Sequence, residues 1–411
     1  MGQSVESTLL IEKKEQALKY DLVCFSHLRW DFVYQRPQHL LSRCAQERRV
    51  FFIEEPIFEE GTAYLDISTR GLNLWIIVPH MPVDLPEEEY YALHARLLDD
   101  LFFQYRIENY VLWYYTPMVL GFTRHLKPLA IVYDCMDELS AFKGASPKMR
   151  HREGELLSIS DLVFTGGYSL YVAKRHQHPH VSAFPSSVDT EHFRQARETI
   201  EDPSDQASIP HPRLGFYGVI DERMDLDLLK AIADAQPNWH LVLIGPVTKI
   251  DPQMLPKRNN IHYLGGKSYN DLPTYLAGWD VALLPFACNE STRFISPTKT
   301  PEYLAGGKPV VSTPIHDVVH PYGKQGLVAI GETASDFIAA IQRILSKHHL
   351  MDLHKVDAFL AQTSWDSTWR NMRRLIYEAV ARRQGKLSSS MTSSLARKSD
   401  LLSARSWIGG D

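Results

Sequence analysis

The chain has 411 residues, too many for one ordinary hydrophobic core and suited to two or three domains. Hydrophobic residues make up 44% and charged residues 23%, and a net charge of −5 offers no excess of cations for a nucleic-acid backbone. Cys24, Cys44, Cys135 and Cys288 show no CxxC spacing, which argues against a disulfide framework or zinc site and favours a reducing compartment.

The N-terminus, MGQSVESTLLIEKKEQALKY, has neither a basic start nor a long apolar run, so it is not read as a signal peptide. Ser7 misses the position that myristoylation at Gly2 requires, and no stretch approaches 18 uncharged apolar residues. The expected localisation is cytoplasmic.

Six apolar runs follow: DLVCFS (21–26), RVFFIEE (49–55), LNLWIIVP (72–79), NYVLWYY (109–115), LAIVYD (129–134) and DLVFTG (161–166). They are mostly apolar throughout, as strands covered on both faces should be, and helical patterns such as 37–47 and 87–106 separate them. A polar, proline-bearing stretch over 188–212 reads as a linker. The alternation restarts with RLGFYG (213–218), HLVLIG (240–245), NIHYLG (260–265), DVALLPF (280–286), KPVVST (308–313) and LVAIG (327–331). The expected class is α/β, with two Rossmann-like, doubly wound parallel-sheet domains at 1–187 and 213–363. A helix over 364–384 closes back on the first domain, and 385–411, rich in Ser, Lys and Arg, reads as a disordered tail.

In open α/β sheets, ligands bind beyond the carboxyl ends of the strands. Those positions hold His27, Arg29, Trp30, Asp31 and Arg36 after the first run, and Asp134 and Asp137 after the fifth. In the second half they hold Arg223, Arg293, Ser296, Thr298 and Lys299. The stretch SPTKTPEYLAGGKPVVSTP (296–314) leaves a strand and opens a helix whose N-cap is either Ser296 or Thr300. Lys299 and Glu302 share a face there, as an anion and hydroxyl site or as a solvated ion pair.

The two α/β halves, the SPTKTPEYLAGGKPVVSTP run and the closing helix resemble a GT-B-fold glycosyltransferase close to glycosyltransferase family 4. WDFVYQRPQHLLSR and YDCMDELSAF are further similar to bacterial transferases of surface-polysaccharide and teichuronic-acid-type pathways. The resemblance implies a nucleotide-diphosphate sugar, UDP- or GDP-linked, as donor, and a hydroxyl acceptor on a saccharide or lipid-linked carrier. It assigns Lys299 to the diphosphate, Glu302 to the ribose and Arg223 to phosphate, with the acceptor on the first domain. The chain departs from the family at Phe294, where a glutamate is usual, and at Val219, where a basic residue is.

The reaction class calls for cations at the departing diphosphate and a carboxylate at the acceptor hydroxyl. Arg223, Arg293 and Lys299 suit the first task, and Asp137, Asp134 and then Asp31 the second. No Asp-x-Asp follows a strand, so no obligatory metal or cofactor is expected. Contact with the inner face of a membrane is a family implication. A sugar-nucleotide epimerase and a non-catalytic nucleotide-sugar-binding partner are the alternatives.

Overall fold

The computed structural model describes residues 19–198, 200–346 and 351–385. The N-terminal reading over 1–18 and the tail from 386 onward lie outside the described residues.

The first sheet holds β1 (Asp21–Phe25), β2 (Val50–Ile53), β3 (Ile57–Glu59), β4 (Tyr64–Thr69), β5 (Leu74–Pro82), β6 (Tyr110–Tyr114), β7 (Ala130–Cys135), β8 (Leu162–Thr165) and β9 (Val181–Ala183). Its order is β3-β5-β2-β1-β6-β7-β8-β9, parallel along that path, with β4 antiparallel on β5. The second sheet holds β10 (Arg213–Tyr217), β11 (His240–Ile244), β12 (Ile261–Tyr263), β13 (Val281–Leu284), β14 (Val310–Ser312) and β15 (Ala329–Ile330), ordered β12-β11-β10-β13-β14-β15. All twelve apolar runs are strands. The sequence reading lacked β3, β4 and β9.

Each sheet is covered on both faces, which is why its strands lack the alternation of a half-wet sheet. Leu22, Cys24, Val50, Phe52, Val111 and Trp113 pack with Trp365, Trp369, Met372 and Ile376 of the helix Trp365–Arg383. Their strand neighbours Val23, Phe25, Phe51, Ile53 and Leu112 face Leu98, Leu101, Leu156 and Leu157 on the other side. The closing helix therefore does cross back to the first domain. Arg373 meets Glu47 at 2.6 Å, Arg383 meets Asp161 at 3.1 Å, and Thr368 meets Ser187 at 2.7 Å.

The stretch read as a linker is more than a tether. Residues 188–212 contain the short helices Thr190–Arg194 and Ser204–Ala207 and bury Val188, Phe193, Ala196 and Ile209 in the second core. Their apolar residues sit too far apart for a periodic pattern, so the polar composition dominated the reading.

In both sheets the chain reverses its winding direction at the first strand. β1 has β2 on one side and β6 on the other, and β10 has β11 and β13. Neighbouring loops diverge at such a switch point and leave a crevice beyond the strand ends. The two crevices face each other.

Candidate active site between the domains

Two adjoining cavities occupy the cleft. The larger, about 720 Å³, is lined by Trp30, Asp31 and Tyr34 from the first domain and by Gly245, Lys267, Tyr269 and Glu302, among others, from the second. The smaller, about 120 Å³, is lined by Arg36 and Asp137 opposite Arg223, Ser296, Thr298 and Lys299. Val33, Gly218 and Lys299 belong to both, so the cavities are continuous across these residues. A separate depression of about 630 Å³ lies around Asp21, Arg49 and Asn109, at the amino ends of the strands, where ligands of this sheet type do not bind.

The domains touch on several sides of the cleft. The Tyr34 ring stacks on Tyr269 at 4.4 Å, the Ser186 hydroxyl donates to the Ser296 carbonyl at 3.0 Å, and Ser169 N–H donates to Asp317 at 3.1 Å. Gly167 is required by space: a Cβ there would lie 2.2 Å from Asp317 Oδ2 and 2.8 Å from Ser296 Cβ.

The helix from the SPTK stretch runs Lys299–Ala305, with Thr298 at its N-cap. Neither predicted cap is used. Pro301 falls in the first turn, where its missing N–H has no intrahelical acceptor to lose. Gly306 closes the helix and Gly307 adopts φ +74°, the left-handed geometry that a residue with a Cβ takes at a cost. Seven residues make a short dipole, so positive charge in this part of the cleft rests on Lys299.

Lys299 Nζ donates to Thr298 Oγ1 at 2.8 Å and stands 3.8 Å from Glu302, with 14% of its side chain exposed. This is no solvated surface pair, because Glu302 is 4% exposed. Glu302 Oε2 has no hydrogen-bond partner among the described residues. Burial pushes the Glu302 carboxyl above the ordinary range, and Lys299 opposes that rise. A buried acceptor without a donor is costly and favours a hydroxyl-bearing ligand.

Arg223 is held by Asp221 at 2.8 Å, and its guanidinium lies 5.7 Å from the Phe142 ring. Lys249 reaches the same ring at 5.3 Å, so two cations of the second domain bracket a first-domain aromatic. Arg293 is exposed, stands 5.2 Å from the Phe294 ring and lines neither cavity. Phe294 itself packs against the first domain's core.

The three candidate bases separate. Asp134 is fully buried and gripped by Arg36 at 2.8 and 3.0 Å, so its lone pairs are engaged and it is not a free base. Asp31 lies on the larger cavity's rim, 63% exposed and paired with Arg70. Asp137 is partly exposed on the wall of the smaller cavity. Desolvation raises its pKa, with Arg223 opposing and Asp221 adding to the rise. Asp137 thus combines exposure to the reaction space with a pKa raised above the ordinary aspartate range.

On the acceptor side, Arg36 lines the smaller cavity and Trp30 the larger. Arg29 pairs with Glu54 at 2.9 Å and lines neither. His27 lines neither as well. Burial and Lys249 push it down to about 4, so it is neutral at pH 7. Sequence reasoning missed Tyr34, which lies within the quoted WDFVYQRPQHLLSR stretch but was not named as a site residue, and Tyr269, Ser186, Gly167 and Asp317, which lie outside the runs and loops singled out.

Known proteins share parts of this sequence and its fold. Residues 211–347 match the family model "Glycosyl transferases group 1", a span that contains Gly218, Arg223, Lys299 and Glu302. A segment of 166 residues is 26% identical to a Bacillus subtilis protein named as a teichuronic acid biosynthesis glycosyltransferase, covering 39% of this chain and 41% of that one. Among solved structures, sucrose-phosphate synthase from Thermosynechococcus elongatus superposes with a TM-score of 0.61 at 15% identity, over 92% of this chain and 100% of that one. A structure titled trehalose-6-phosphate from E. coli, bound with UDP-2-fluoro glucose, gives 0.64 at 12% identity, over 87% and 99%. The chain has the two-domain GT-B fold of these structures, and its residues 211–347 are similar to the group 1 glycosyl transferases.

Proposed function

We propose that the protein transfers a sugar from a nucleotide-diphosphate sugar to a hydroxyl acceptor in the synthesis of a cell-surface polysaccharide or glycolipid. One observation carries the reading: Lys299 and the buried Glu302 carboxylate, whose Oε2 has no hydrogen-bond partner among the described residues, meet in an interdomain cleft against the switch-point loop at Gly218. Lys299 and Arg223 take the diphosphate and Glu302 takes the ribose hydroxyls. Asp137, across the smaller cavity, takes the proton of the acceptor hydroxyl. As that oxygen bonds to the sugar's anomeric carbon, the bond from that carbon to the diphosphate breaks. The nucleoside diphosphate then leaves toward the two cations.

A solved structure similar in fold is bound with UDP-2-fluoro glucose, and the matched relative is named for teichuronic acid. The first supports a UDP-linked donor, and the second supports a saccharide acceptor. Among the described residues no helix is long and apolar enough to cross a membrane, so contact with a membrane-held acceptor would be peripheral. Leaving-group charge is assigned to protein cations and no obligatory metal is invoked.

The test is a titration with UDP-, GDP- and ADP-sugars followed by thermal shift, because a ligand bound only by the folded state raises its stability. The reading expects at least one to raise the midpoint, and the rise to vanish in Lys299→Met. Donor converted to an isomer without acceptor would replace it with an epimerase.

A further inference from the structure

Beneath the wall that carries Asp137 lies a charge cluster that plays no direct part in the proposed reaction. Lys174 ends the helix Tyr168–Lys174 and is only 3% exposed. Its ammonium stands 2.8 Å from Glu138 Oε2 and 2.8 Å from both carboxylate oxygens of Glu153. Glu153 belongs to another helix, Met149–Ile159, and also accepts from the Tyr133 hydroxyl at 2.9 Å. A lysine this buried is retained only where a carboxylate stays beside it, since the loss of every partner strands a charge in a dry interior.

The cluster's position gives it a second consequence. Glu138 is the residue after Asp137, so the ammonium that binds Glu138 fixes the peptide that presents Asp137 to the cleft. Other contacts pin the same turn. Cys135 Sγ lies 3.5 Å from the Asp137 carbonyl, the Ser140 hydroxyl donates to Glu138 Oε1 at 2.9 Å, and Gly166 N–H donates to the Cys135 carbonyl at 2.9 Å. Gly166 also lets β8 approach closely, since a Cβ there would lie 2.4 Å from the Met136 carbonyl oxygen. Among the described residues, Asp137 itself makes no anchoring ion pair like that of Asp134. Its placement comes from the backbone of its turn.

We infer that Lys174, acting through Glu138, is a positioning residue that holds Asp137 at the acceptor hydroxyl. The inference rests on the proposed transfer reaction only for its kinetic consequence, and its structural half is independent of any activity. Glu138→Gln is the sharpest probe. It keeps the shape of the side chain and leaves Lys174 paired with Glu153, so the fold has no stranded cation.

Two measurements on that variant decide the matter. Hydrogen exchange of residues 136–141 should speed up at least tenfold, with exchange in β1 and β6 unchanged. Turnover should fall roughly 10- to 100-fold, the size expected when a reacting group drifts by about an ångström, with donor Kd within twofold of the parent. Lys174→Met should lower turnover to the same level, and the double variant should be no worse than either alone. Unchanged exchange over 136–141 overturns the inference even if no substrate is found. Parent-like turnover in Glu138→Gln overturns it too. Absence of turnover in the unmodified protein with every donor counts against the transfer reaction, and the exchange result then decides this one alone.

Discussion

Replacing Lys299 by Met removes a charge while keeping most of the side chain's bulk against the Tyr217 ring, which lies 5.7 Å from Nζ. With 14% of the side chain exposed, solvent screens this cation weakly. Losing one partner of a desolvated charge pair costs about 2–5 kcal/mol. The lower end of that range applies, because Arg223 stays in the same cavity and shares the diphosphate. About 2–3 kcal/mol corresponds to a Kd weakened roughly 30- to 160-fold. Calorimetric titration with the nucleoside diphosphate that binds the parent measures it. The matching monophosphate should lose less affinity on the same substitution, since it lacks the distal phosphate. A Kd within twofold of the parent would refute the placement of the diphosphate at Lys299.

Glu302→Gln should weaken binding of the ribonucleotide about tenfold, one charged hydrogen bond's worth, and leave the 2′,3′-dideoxy analogue unchanged; paired titrations check it. The same substitution should raise the thermal midpoint at pH 7–8. A carboxyl whose folded pKa is raised contributes stability below its unfolded pKa and loses it as pH rises through the folded one, so the gain over the parent should shrink on acidification. Asp137→Asn should lower turnover at least about 100-fold with donor binding intact. In the parent, the rate should fall as pH drops through an apparent pKa above the ordinary aspartate range, and a pH–rate profile reads this directly. Gly167→Ala should destabilise the protein by about 1–3 kcal/mol through overpacking against Asp317 and Ser296, measured by urea unfolding, and should weaken donor binding by forcing the domains apart.

The strands were legible because parallel sheets covered on both faces write themselves as continuous apolar runs, as in the fully buried VFFI of β2. Strand β3, Ile57–Glu59, is exposed at every position and carries no such signal. Lys299 and Glu302 were legible because strand ends locate ligand loops, but whether the pair was solvated was not. Burial at Glu302 depends on how Tyr217 and Tyr303 pack, which spacing does not encode. Asp134 looked like Asp137 in sequence, and its disqualification comes from Arg36, 98 residues away. Phe294 reads as a missing carboxylate along the chain, whereas in space it seals part of the domain contact.

The most direct test of the whole account follows a radiolabelled sugar from its nucleotide donor, with EDTA present, in the presence and absence of a saccharide or lipid acceptor fraction. The account predicts label in the acceptor fraction, an equal amount of nucleoside diphosphate released, and loss of both in Lys299→Met and Asp137→Asn. Donor that binds tightly yet passes no label to any acceptor, or label transfer that survives both substitutions, would contradict it.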